Sequence, residues 1–104
     1  MRKAKVFVNN KEAGTILELE FAKKFRFEYR EGYAGTPISL TMALSKKPYE
    51  FDAFPPFFEG LLPEGYQLEG LLKIGKVDRN DLFAQLMAVG EDLVGNITVM
   101  EVPA

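Results

Sequence analysis

The apolar residues of this 104-residue chain change period along its length, and that change limits the folds open to it. Up to residue 44 they alternate. "KFRFEYR" (24–30) sets Phe25, Phe27 and Tyr29 on one side and Lys24, Arg26, Glu28 and Arg30 on the other. That is the pattern of a half-buried antiparallel strand. "KAKVFV" (3–8) and "AGTILELE" (13–20) read as two strands joined through "NNKE". Asn-Asn tolerates left-handed backbone and suits a tight hairpin turn. "ISLTMAL" (38–44) predicts a fourth strand with Ile38, Leu40, Met42 and Leu44 inward, followed by a polar loop, "SKKPYEFDA".

Beyond residue 54 the spacing is helical. "PPFFEGLL" (55–62) opens with prolines, which a first helical turn accepts, and Phe57, Phe58, Leu61 and Leu62 form one stripe before Pro63 ends it. "YQLEGLLKIG" (66–75) carries Leu68, Leu71 and Leu72, with Gly75 as its expected cap. "DRNDLFAQLMAVG" (78–90) carries Leu82, Phe83, Leu86 and Met87, with Asp78 or Asn80 as N-cap and Gly90 as C-cap. "NITVMEV" (96–102) returns as a last strand, expected beside an early one. Strands grouped before helices argue for an α+β fold: an antiparallel sheet of about five strands with about three short helices packed on one side, as a single domain over 1–104.

The chain has no cysteine and no histidine, which removes disulfides, thiol nucleophiles, imidazole bases and the usual zinc ligand sets. Ser39 and Ser45 have no histidine to activate them. Glu59, Glu64, Glu91 and Asp92 are ordinary surface carboxylates on this reading, and no Asp-rich loop suits Mg²⁺ or Ca²⁺. "GYAG" and "AVGEDLVG" read as turns, not phosphate loops. No catalytic, cofactor or metal residue is therefore assigned. A net charge of −2 argues against direct nucleic-acid binding, and the basic clusters Arg2/Lys3/Lys5 and Lys23/Lys24/Arg26 read as solvated strand faces. Neither a membrane span nor a signal peptide is present, which points to the cytoplasm.

"FPPFFEGLLPEG" (54–65) ends in a stiff turn followed by Tyr66, which lies off the Leu68/Leu71/Leu72 stripe. An aromatic beside a rigid turn is a candidate anchor for a partner. Pro63, Glu64, Gly65, Tyr66 and Gln67 are the expected partner-binding residues.

Four motifs, in order, carry a family resemblance: "VNNKEAGTI", "TPISLTMAL", "FPPFFEGLLPEG" and "DLFAQLMAVGEDLVGNITV". They resemble the N-terminal subdomain of HipA-type serine/threonine kinases. The matching positions are Asn10, Gly14, Pro37, Ser39, Leu40, Phe57, Phe58, Leu61, Leu62, Pro63, Glu64, Gly65, Asp81, Phe83, Gly90, Asp92, Val94 and Gly95. The sequence departs from the family pattern at "SKKPYEFD" after Leu44 and at Asn96, where the family usually has alanine. The ATP loop and catalytic and metal-binding aspartates of such a kinase would lie beyond Ala104. The resemblance thus implies a non-enzymatic protein similar to the HipS-like small antitoxins of three-gene HipBST modules. Such a protein binds and neutralises a HipT-type kinase, and a HipB-like helix-turn-helix protein joins the complex. The alternative is a non-inhibitory subunit that completes a split HipA-like kinase or tethers it to a DNA-binding partner.

Overall fold

The computed structural model describes residues 1–93 and 95–103; Val94, one of the family-matching positions, lies outside the described residues, as does Ala104. Five strands, β1 (Lys3–Val8), β2 (Lys11–Glu20), β3 (Lys24–Tyr29), β4 (Tyr49–Phe51) and β5 (Ile97–Glu101), form one antiparallel sheet in the order β4-β3-β2-β1-β5. Three helices, α1 (Pro56–Glu59), α2 (Gly65–Gly75) and α3 (Leu82–Val89), intervene between β4 and β5. The α+β expectation holds.

The first hairpin follows from its turn. Asn9 and Asn10 both take left-handed backbone, with φ of 50° and 68°, as a two-residue loop between right-twisting strands requires. A register shift between Val6 and Phe7 marks a bulge opposite β2. There a Cβ on Gly14 would stand 2.3 Å from the Glu28 carbonyl oxygen and 2.8 Å from the Phe27 ring, so only glycine lets β2 and β3 approach. β5 pairs beside β1, closing the sheet with its first and last strands adjacent.

One face of the sheet buries Ala4, Val6, Ile16, Phe25, Phe27 and Val99. Phe58 of α1 packs on Phe27 at 6.0 Å between ring centroids, and Phe83 of α3 stacks on Phe25 at 6.4 Å. Both helices therefore lie on the same face, because residues 25 and 27 of a strand point the same way. α2 differs. It packs against α3 and contains no fully buried residue; Leu68, Leu71 and Leu72 are half-buried. Among the described residues no helix is long and apolar enough to cross a membrane.

Residues 38–44 are not a strand. Ser39 and Met42 form an isolated bridge around a tight turn, with the Met42 N–H donating to the Ser39 carbonyl at 3.1 Å. The Tyr29 hydroxyl accepts from the Ile38 N–H and donates to the Met42 carbonyl, so one side chain pins both ends of the turn. Ile38 and Met42 point inward as expected, whereas Leu40 is 105% exposed at the turn's tip and Leu44 is also exposed. Alternation over four residues is satisfied as well by a turn whose flanks are buried. The fourth strand falls instead on Tyr49–Phe51, inside the segment read as a loop. Phe25 pairs there with Phe51, and Phe27 with Tyr49.

Helix boundaries shift similarly. α1 covers only Pro56–Glu59, and Gly60–Leu62 continue as turns. The C-cap of α2 is Lys76, left-handed at φ 53°, not Gly75. The N-cap of α3 is Asp81, whose Oδ1 accepts from the Ala84 N–H at 3.1 Å. Asp78 and Asn80 serve the preceding turn, where the Asn80 N–H donates to the Asp78 side chain at 2.7 Å. Gln85, buried, donates its amide to the carbonyls of Asp78 and Arg79 and fastens that turn to the helix. Gly90 caps α3 as expected.

Arg2 is not a solvated strand residue. Its guanidinium forms paired hydrogen bonds to both oxygens of Glu18 and both oxygens of Asp81. It also lies 4.9 Å from the Phe21 ring centroid and 5.1 Å from that of Phe83, within cation–π range of both. Glu18, only 4% exposed, accepts a further bond from the Ala22 N–H.

Candidate partner-binding turn and groove

The turn after α1 is built from chain stiffness and one special backbone angle. Leu62 is buried beneath it, and Pro63 fixes φ just past that anchor. Glu64 is extended at φ −129°, and its carbonyl accepts the first helical bond, from the Leu68 N–H at 3.4 Å. Gly65 takes φ +59° with no atom near the position of a Cβ, so glycine is needed for backbone conformation and not for space.

Pro63, Glu64 and Gln67 line one side of a groove of about 580 Å³. Leu61, Leu62 and Leu71 continue that side, and Val89, Asp92 and Leu93, which follow or end α3, form the other. The second wall is set by Gly90. Its carbonyl accepts from the Val99 N–H at 2.8 Å, and a Cβ there would sit 2.1 Å from the Val99 carbonyl oxygen. The Asp92 N–H then turns back to the Val89 carbonyl at 2.8 Å, placing Asp92 and Leu93 over the groove.

Tyr66 stands outside the groove and is 97% exposed. The structure therefore gathers Pro63, Glu64 and Gln67 at one rim and leaves Tyr66 projecting beside them. Ile74, 85% exposed, follows Tyr66 by two helical turns on the same outer stripe, with Gly70 between them and open space at its Cβ position. Sequence reasoning missed Ile74, although its spacing from Tyr66 announces it. It had no means of finding Val89, Asp92 and Leu93, which reach the groove through the pairing of β5 with β1. Among the described residues no three acidic side chains converge as a metal site. The site offers apolar surface, an exposed phenol and carboxylates, groups suited to contact with a partner.

Residues 4–100 match the family model of the HipA N-terminal domain. An uncharacterized protein of Haemophilus influenzae is 30% identical over 101 residues, covering 97% of this chain and 93% of that one. The solved N-terminal domain of HipA toxin superposes with a TM-score of 0.76 at 28% identity, covering 99% of this chain and 94% of that chain. The Shewanella oneidensis HipA solved with HipB and operator DNA shares the fold, with a TM-score of 0.72 at 23% identity. This chain is covered over 97% of its length and spans 24% of that HipA chain.

Proposed function

The chain belongs to the HipA N-terminal domain family, and on that premise we propose that it is an antitoxin that binds and neutralises a HipT-type serine/threonine kinase in a three-gene toxin–antitoxin module. The observation that carries this reading is Tyr66. A tyrosine 97% exposed on a proline- and glycine-fixed turn loses little conformational freedom on binding and has apolar area to bury, the profile of an interface anchor. The half-buried groove beside it extends the same surface. Similarity to the N-terminal domain of a HipA toxin supplies the toxin–antitoxin setting. On this reading the protein is not an enzyme, acts in the cytoplasm and makes contact through residues 63–67. A HipB-like helix-turn-helix protein joins the complex, and nucleic acid is not touched directly.

The test is growth of cells expressing a HipT-type kinase with and without this protein. Rescue supports neutralisation. A complex that forms without rescue, or with greater toxicity, supports instead a subunit that completes or tethers the kinase.

A further inference from the structure

Charge is unevenly distributed along this chain. From Pro48 to Leu72 there is no lysine or arginine, and from Asn80 to Pro103 there is none either. These two segments supply every residue that lines the groove. Glu64 and Asp92 stand on its rim, with Glu59 and Glu91 close by in the chain, and all four are exposed. Among the described residues none of the four enters an ion pair, whereas Glu12, Glu18, Glu20, Glu50, Glu69 and Asp81 all do. Most acids of β2 and β4 are answered within the fold; those around the groove are not. Below them Leu61, Leu71, Val89 and Leu93 are each left half-buried.

We propose that this groove binds an apolar segment of a partner protein that carries lysine or arginine beside its apolar side chains. Aliphatic side chains of that segment complete the burial of Leu61, Leu71 and Leu93, and its cations meet Glu64 and Asp92. Apolar contact supplies affinity, while the unpaired carboxylates select the sign of the partner's charge and speed encounter. An acidic segment of equal hydrophobicity is rejected by like-charge repulsion. The inference deepens the reading above, in which the kinase is the partner, but its test does not need the kinase.

Two short labelled peptides with the same leucine pattern serve as probes, one with lysine and one with glutamate at the polar positions. Each is titrated into the full chain, followed by fluorescence anisotropy and by amide NMR shifts. The leucine–lysine peptide should bind, shift the amides of Leu61, Glu64, Leu71 and Leu93, and weaken as salt rises. The Glu64→Lys/Asp92→Lys variant should bind it roughly tenfold more weakly or worse. Glu28→Lys/Glu31→Lys makes the same change in net charge at exposed positions away from the groove, and should stay within about twofold. Equal weakening in both variants would reduce the effect to general attraction and overturn the proposal. So would shifts spread over the whole acidic surface, equal binding of the leucine–glutamate peptide, or no binding at any salt. Growth rescue without groove binding sinks this inference and leaves the antitoxin reading intact; groove binding without rescue does the reverse.

Discussion

Arg2 and Asp81 are joined by two hydrogen bonds of 3.0 and 2.9 Å across 79 residues of sequence. The same guanidinium holds Glu18 at 2.7 and 2.8 Å. Since Asp81 is also the N-cap of α3, this contact ties the start of the chain to the start of its last helix.

Replacing Arg2 with alanine should destabilise the fold by about 2–3 kcal/mol, somewhat less than the ~3–5 of a fully buried pair because the guanidinium is partly exposed. The cost arises from Glu18, left charged and enclosed. Arg26→Ala removes an ion pair of the same 2.7 Å length, to Glu50, on the solvent face of the sheet. It should cost far less than Arg2→Ala, because solvent screens an exposed pair. Urea unfolding of the two variants checks the contrast.

Stability should fall in acid through Asp81. Burial pushes its pKa up, but hydrogen bonds from Arg2 and the Ala84 N–H, with the charge of Arg2, outweigh burial and hold the carboxyl below its ordinary value. A folded-state pKa below the unfolded one means the contribution is present above the unfolded value, near pH ~4, and disappears as pH drops through the folded value. Urea midpoints compared between pH 7 and pH 3 should fall less for Asp81→Asn than for the parent.

Phe58 and Tyr66 should separate stability from binding. Phe58 is fully buried against Phe27, and Phe58→Ala should cost about 3–5 kcal/mol. Tyr66→Ala should leave the thermal midpoint within error and weaken neutralisation of the kinase. Full neutralisation by that variant would remove Tyr66 from the interface.

Three glycines should answer alanine differently. At Gly90 the new Cβ meets a backbone carbonyl of β5 that cannot move without breaking the sheet, so a loss of about 3 kcal/mol or more is expected. At Gly65 space is free but φ is positive, and the loss should be about 1–2 kcal/mol. At Gly70, mid-helix with open space, alanine should stabilise by about 0.5–1 kcal/mol. Thermal unfolding of the three variants gives their order.

The parts of the fold legible from sequence are those fixed by neighbours along the chain. Asn9-Asn10 declares its turn, Phe25/Phe27/Tyr29 declare the buried side of β3, and Phe83/Leu86 declare the inner stripe of α3. The stiffness after Leu62 and the outward position of Tyr66 follow from Pro63, Gly65 and helical spacing alone. Family membership, too, was readable from four ordered motifs. Residues 38–44 misled because their alternation has two local solutions. Only the Tyr29 hydroxyl, reaching Ile38 and Met42 from another strand, selects the turn over the strand. Tyr49–Phe51 reads as part of a polar loop, and becomes a strand because β3 offers Phe25 and Phe27 as partners.

What tertiary structure alone decided is what meets across long separations. Arg2 reads as one more surface cation until strand pairing carries it to Glu18 and Asp81. Asp92 and Leu93 become a groove wall only because β5 returns beside β1 and locks Gly90 against Val99. Periodicity and turn chemistry act over a few residues and can be read along the chain. Charge pairing and groove formation depend on which distant segments the sheet order makes neighbours, and that order minimises the exposed apolar surface of the whole chain at once.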